Sequence, residues 1–108
     1  MRAYELMVII DGELEEPAAQ SRASDIETRL NERGTVGSKD FWGRRQFAYE
    51  IDHKSEGTYV VFEILADPGA LDPIERSLRL ADDIVRHKLL RLPDHEAARR
   101  GLIGSAAD

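Results

Sequence analysis

The sequence contains no cysteine among its 108 residues, and this absence excludes disulfides, thiolate metal ligands and a cysteine nucleophile. The longest apolar run, residues 6–10, has five residues, far short of the roughly 18 that indicate a membrane-spanning helix. Positive charge is also scarce, since 21 acidic side chains outnumber 15 basic ones and give a net charge of −6. The summed charge therefore argues against a non-specific nucleic-acid binder, whose surface is usually basic.

The composition that remains is typical of one small globular domain. Hydrophobic residues make up 42% of the chain and charged residues 33%, enough for a core and a well-solvated surface. A disordered chain is not expected from this balance. The first residues show no secretory hydrophobic segment, so we expect a cytosolic protein that contacts no membrane.

Apolar periodicity divides the chain into six elements. They are a strand at 4–10, a helix at 16–33, a bulged strand at 36–51, a strand at 58–65, a helix at 71–81 and a strand at 84–92. Gly34 is positioned to end the first helix with a positive φ, and the polar segment 52–57 predicts a hairpin connection. Residues 94–108 lack periodicity, so we expect a flexible C-terminal tail, in isolation, after a domain at 1–93.

The order β-α-β-β-α-β predicts an α+β fold, the ferredoxin-like split β-α-β arrangement. In it, two helices pack on one face of a four-stranded antiparallel sheet and leave the other face open. Alternation along the two central strands assigns four apolar residues to that open face: Met7, Ile9, Tyr59 and Val61. We predict that they form a partner-facing patch, although single exposed hydrophobic residues are also ordinary.

Catalysis finds little support in the sequence. His53, His87 and His95 show no metal-ligand spacing, and no phosphate-binding glycine loop or hydrolase motif is present. The adjacent acids Asp82 and Asp83 are typical of a helix end rather than of a metal site. We therefore predict no catalytic residue, metal, cofactor or small-molecule substrate.

The sheet does not carry the aromatic platform of an RNA-recognition motif. Segment 55–62 has a glycine and two aromatic residues, but Glu56 stands where that motif has a basic residue. Charge distribution is more informative: residues 11–33 have a net charge of −4, and residues 76–91 have +3. Arginines on rigid strands suit phosphate contacts, while an ordinary solvated face is the alternative interpretation.

Four motifs resemble the bacterial small-subunit ribosomal protein six family. They are Arg2-x-Tyr4-Glu5, the segment WGRRQFAYEI at 42–51, Gly57-x-Tyr59-x-x-Phe62, and the segment LRLADDIVRH at 78–87. The resemblance extends from residue 1 to about residue 92. It implies a non-catalytic protein that binds the central domain of 16S rRNA together with ribosomal protein eighteen, its heterodimer partner. Candidate RNA or partner contacts at motif positions are Arg2, Arg44, Arg45, Arg79, Arg86 and His87.

We hypothesise that one surface of the protein binds RNA and another binds a protein partner. Arginines contact the RNA backbone and recognise its shape, while the apolar sheet face and the C-terminal tail bind a basic protein. Two other classes stay open on the residues alone. One is a small-molecule sensor or oligomerisation module that pairs through its sheet, and the other, less supported, is an enzyme.

Overall fold

A computed structural model describes residues 1–103 of the chain. Its elements are β1 (Arg2–Asp11), α1 (Glu16–Arg33), β2 (Gly34–Ile51), β3 (Lys54–Ala66), α2 (Asp72–Leu80), β4 (Ile84–Leu92) and α3 (Asp94–Arg99). The strands form one sheet in the order β2-β3-β1-β4, and every neighbouring pair is antiparallel. The predicted ferredoxin-like fold is therefore confirmed, and the bounds of α1 and β4 agree with the sequence prediction.

The main core lies between the sheet and helices α1 and α2. One face of β1 contributes Leu6, Val8 and Ile10 to this core, all fully buried. The helices meet that face with stripes of apolar residues spaced three or four apart: Ala19, Ala23, Ile26 and Leu30 in α1, and Ile74 and Leu78 in α2. Alternation then assigns the residues between those of β1 to the opposite, open face of the sheet.

Gly34 does not adopt the conformation that the sequence predicted. Its φ is −167°, which is extended backbone, and it is the first residue of β2. A side chain is excluded here because a Cβ on Gly34 would lie 2.3 Å from the carbonyl oxygen of Leu65. The glycine therefore permits the close approach of β2 to β3, and the prediction of a positive φ was wrong.

The connection between β2 and β3 is shorter than the predicted segment 52–57. Only Asp52 and His53 form the turn, with φ of 50° and 64°, and Ile51 pairs directly with Lys54. Positive φ at both central residues is the requirement of a type I′ hairpin turn. The predicted bulges in β2 are confirmed, since its register against β3 shifts after Val36, Phe41 and Gln46.

The end of the chain has regular structure that the sequence analysis did not predict. Helix α3 follows Pro93 directly, and its Ala97 is fully buried against Ala3 and Leu92. A six-residue helix with one buried position is too short to show an apolar period, which explains why the sequence pattern does not reveal it. Flexibility of the tail in isolation stays a prediction, and its part at 104–108 lies outside the described residues.

Candidate RNA- and partner-binding surfaces

The four residues assigned to the open sheet face do lie together on it. Met7 is opposite Val61 and Ile9 is opposite Tyr59 in the β1–β3 register. Ile9 and Val61 are only 3% and 9% exposed, whereas Met7 and Tyr59 are half-buried. The chain itself therefore covers part of the patch, although strand alternation predicts that all four residues face outward.

Aromatic residues of β2 cover one end of the open face. Trp42 stacks on Tyr59, with ring centroids 5.9 Å apart and planes within 9°, and Phe47 meets the same ring edge-on at 6.3 Å. The Arg45 guanidinium lies 5.4 Å from the centroid of the Trp42 ring, within cation–π range. We call Trp42, Arg45, Phe47 and Tyr59 the aromatic end.

A bulge in β2 produces this arrangement. Phe41 pairs with Val60 and Gly43 pairs with Tyr59, so Trp42 is the extra residue of the bulge. Phe41 packs against the core beneath the helices, while Trp42 joins Tyr59 on the open face. Because Gly43 has a φ of 90°, the backbone conformation there favours glycine.

Charged residues lie at the opposite end of the open face. Glu5 of β1 and Glu63 of β3 are directly opposite each other, and the Arg100 Nη1 atom lies 3.3 Å from the Glu5 carboxylate and 2.9 Å from that of Glu63. The Nε atom of Arg100 lies 2.8 Å from Glu96 Oε1. Hydrogen bonds from Arg99 and Arg100 lower the pKa of Glu96 to about 2. We call Glu5, Glu63 and Glu96 the acidic end.

A basic surface extends over α2 and the edge strand β4, and it reaches the open face at Arg86 and Lys88, which are opposite Ile9 and Met7 in the β1–β4 register. It carries five exposed cations, which we call the basic flank: Arg76, Arg79, Arg86, Lys88 and Arg91. Within residues 1–103, none of the five takes part in an ion pair. Their charges are therefore available to an external anion.

On the other side of the molecule, around α1, three cations are bound to acids of the same chain, whereas Arg29 and Arg33 of α1 are exposed and have no ion pair within residues 1–103. Three ion pairs define what we call the α1 flank: Arg22–Asp83 at 2.7 Å, Lys39–Glu27 at 3.2 Å and Lys54–Asp11 at 2.8 Å. The hydrogen bond from Lys54 lowers the pKa of Asp11, and Asp11 in turn raises the pKa of Lys54. These cations stabilise the fold and offer little free charge.

Comparison with known proteins assigns this chain to a family. Residues 3–91 match the family model described as ribosomal protein S6. The chain belongs to the ribosomal protein S6 family. Family membership confirms the resemblance that the four motifs indicated.

Individual relatives are similar to this chain in sequence and structure over most of their length. The small ribosomal subunit protein bS6 of Salinispora arenicola is 45% identical over 95 residues, covering 84% of this chain and 96% of that protein. The bS6 protein of Micrococcus luteus is 45% identical over 92 residues, covering 84% and 91%. The crystal structure of 30S ribosomal protein S6 from Thermotoga maritima superimposes with a TM-score of 0.83 at 30% identity, covering 93% and 95% of the two chains.

These relatives also decide between the functional classes left open above. They are structural proteins of the small ribosomal subunit, not enzymes, and the expectation of a non-catalytic protein of the cytoplasmic ribosome is confirmed. Within residues 1–103, no group of three or more potential metal-ligating side chains comes together. In the same part of the chain, no helix has the length and hydrophobicity needed to cross a membrane.

The structure distributes the six motif residues of the S6 family over several surfaces. Arg79 and Arg86 belong to the basic flank, and Arg45 belongs to the aromatic end. Arg2 is exposed at the start of β1. These four guanidinium groups are accessible, but they do not converge on one point.

The other two motif residues are held by the chain itself. The Nη2 atom of Arg44 donates a hydrogen bond to the Leu14 carbonyl oxygen at 3.0 Å, which ties β2 to the segment before α1. His87 points toward the helices, where its Nε2 atom lies 3.2 Å from Glu75 Oε1 and its side chain is only 13% exposed. This placement favours a packing role for His87 over an RNA contact.

Sequence reasoning missed two features of these surfaces. It did not identify Trp42 as part of the open face, because the bulge that places it there shifts the alternation of β2 by one residue. It also assigned no role to Arg100, whose partners Glu5 and Glu63 are 95 and 37 residues away in sequence. The Trp42-Gly43 pair predicts the bulge, but no local sequence pattern predicts the contacts of Arg100 with Glu5 and Glu63.

Proposed function

We propose that this chain binds the central domain of 16S rRNA together with ribosomal protein eighteen, as a non-catalytic component of the small ribosomal subunit. In this proposal, the basic flank, which includes the β4 edge of the open face, contacts RNA, and the rest of the open face contacts the protein partner. The observation that carries it is the contrast in charge pairing. All five exposed cations on α2 and β4 lack an intramolecular ion pair within the described residues, while three of the five cations around α1 are paired.

The chemistry of the basic flank supports phosphate binding. Arginine presents a planar fork of donors that matches two phosphate oxygens, and four of the five cations are arginines. Arg86 and Lys88 are two residues apart on β4, so they project from the same face of a rigid strand. Contacts of this kind follow the shape of folded RNA rather than its sequence.

The open face supports a protein partner rather than stacked bases. Its half-buried Met7 and Tyr59 can contribute apolar contact area to an interface. Glu5 and Glu63 at the acidic end, together with the net charge of −6, complement a basic protein and disfavour contact with phosphate at that end of the face. A basic partner also explains how an acidic chain enters a nucleic-acid particle.

Reconstitution tests the proposal directly. Binding of a 16S rRNA central-domain fragment is measured for this chain, for ribosomal protein eighteen and for the two together, over a series of salt concentrations. The pair should bind more tightly than either protein alone, with affinity that falls as salt rises because counterions are released from the RNA. Failure of the chain to bind the partner or to improve RNA binding, even at low salt, would contradict the proposal.

A further inference from the structure

The C-terminal segment folds back onto the open sheet face through a defined helix cap. Gly101 has a φ of 78°, and the amide groups of Gly101 and Leu102 donate hydrogen bonds to the carbonyl oxygens of Ala98 and Ala97 at 3.0 and 2.9 Å. This is the Schellman motif. We call residues 94–103 the C-terminal latch.

The cap directs an apolar side chain onto β2. Leu102 packs against the small cluster formed by Ala3, Leu92 and Ala97. It lies so close to Gly37 that a Cβ there would be 2.6 Å from Leu102 Cδ2. The latch thus covers the Ala3 and Leu92 end of the open face, next to the acidic end.

Arg100 fixes the latch to two strands at once. Glu5 and Glu63 are like charges directly opposite each other in the sheet, an arrangement that is destabilising without a cation. The Arg100 guanidinium lies between them and the Glu96 carboxylate. A cation supplied from outside the chain would satisfy the same pair of strand carboxylates.

The forces that hold the latch are weak compared with those that hold the sheet. Helix α3 has six residues and one buried side chain, Ala97, and a helix of that length has no stability of its own. The Arg100 side chain is 34% exposed, so water and salt reduce the strength of its ion pairs. Segments with these properties open at lower free energy than the rest of a fold.

We propose that the C-terminal latch covers, in the free protein, part of the sheet face that a basic protein partner uses, and that it lifts when the partner binds. A cation of the partner then takes the place of Arg100 between Glu5 and Glu63. This inference rests on the proposed function, because it assumes that the open face binds ribosomal protein eighteen. It adds that, in the unassembled chain, the C-terminal latch and the partner compete for the same part of the open face.

The test compares three variants of the full chain for binding to purified ribosomal protein eighteen. Arg100→Ala removes the ion pairs, and Gly101→Ala strains the cap at its positive φ without a change of charge. If the latch competes, Arg100→Ala should raise affinity roughly tenfold, since less of the protein is in the closed state. Gly101→Ala should raise it about fivefold, the ratio that corresponds to the cost of a left-handed alanine.

Arg99→Ala is the matched control, because it removes the same charge next to Arg100 from a residue whose only ion-pair partner within residues 1–103 is Glu96. It should leave affinity unchanged. Hydrogen exchange should also show the amides of α3 exchanging faster in the complex than in the free chain. The proposal is contradicted if Arg100→Ala and Gly101→Ala bind the partner no more tightly than the unsubstituted chain. It is also contradicted if Arg99→Ala raises the affinity as much as Arg100→Ala does. If no variant binds the partner at all, the proposed function fails together with it.

Discussion

The α1 flank and the basic flank use the same kinds of charged side chain for different purposes. Around α1, Arg22 and Lys39 are bound to acids of the same chain at 2.7 and 3.2 Å. On α2 and β4, Arg79 and Arg86 are exposed and have no ion pair within residues 1–103. The net charge of −6 does not show this difference. Whether a cation can bind an external anion depends on the acids that surround it, not on the net charge of the chain.

The largest effect should come from removing cations of the basic flank. The triple substitution Arg79→Ala, Arg86→Ala and Arg91→Ala should weaken binding of the protein pair to 16S rRNA by about 100-fold at moderate salt. The slope of log K against log salt should fall by about 3, one unit for each lost phosphate contact. Filter binding over a salt series measures both quantities.

A matched triple on the other side of the molecule is the control. Arg29 and Arg33 are exposed on α1, and Lys39 lies beside that helix on β2. The triple substitution Arg29→Ala, Arg33→Ala and Lys39→Ala removes the same charge, so it separates a contact at the basic flank from the overall electrostatic attraction between protein and RNA. For this control, the slope of log K against log salt should equal that of the unsubstituted chain. Equal losses from the two triples would contradict a specific role for the basic flank.

The next effect concerns stability rather than binding. Arg22→Ala should lower the free energy of unfolding by about 1–2 kcal/mol, because it leaves the Asp83 carboxylate without its charged hydrogen-bond donor. Urea denaturation checks this value. RNA affinity measured on the folded variant should not change, and a large loss of RNA affinity would show that the α1 flank also contacts RNA.

A smaller effect should depend on pH. Lys54 lowers the pKa of Asp11 in the folded chain, so their ion pair stabilises the fold in full above the ordinary carboxylate pKa. That contribution disappears as the pH falls through the lowered pKa, where Asp11 gains a proton. Asp11→Asn should therefore cost up to about 1 kcal/mol at pH 7.

Thermal melts from pH 2 to pH 7 follow the Asp11 effect. The melting curves of Asp11→Asn and the unsubstituted chain should converge only at the acid end of this range. A constant difference at all pH values would mean that the ionised Asp11 carboxylate contributes nothing.

The smallest effect is expected at the Lys39–Glu27 pair on the surface. Lys39→Gln should change the free energy of unfolding by less than about 0.5 kcal/mol, as is usual for exposed pairs. At 1 M salt even that difference should vanish. A loss above 1 kcal/mol in urea denaturation would show that this pair is a major structural contact.

Much of the fold was predictable because its determinants are local and periodic. Alternation at 4–10 separates Leu6 and Val8 from Met7 and Ile9, and the structure places these pairs on opposite faces. The apolar stripe of α1 gave correct helix bounds. Two-residue and 3.6-residue periods carry this information directly.

Features set by contacts between distant residues were not predictable. Asp52 and His53 adopt positive φ in a tight turn, although the usual Asn-Gly or Asp-Gly pair is absent there. The placement of α3 depends on Arg100 and its strand carboxylates, which no short motif connects. The positive charge of the basic flank was predictable from the sequence. The lack of ion pairs to its cations within residues 1–103 became visible only in the structure.

The absence of cysteine makes one measurement especially direct, because a single introduced thiol is the only one in the chain. A hydroxyl-radical source is attached to Leu80→Cys, an exposed position beside the basic flank, or to Ser21→Cys, exposed on α1. Each labelled chain is assembled with ribosomal protein eighteen and 16S rRNA, and the cleaved nucleotides are mapped. The source on α2 should cleave the central domain strongly and the source on α1 weakly. Stronger cleavage from α1 would contradict the assignment of the basic flank to RNA.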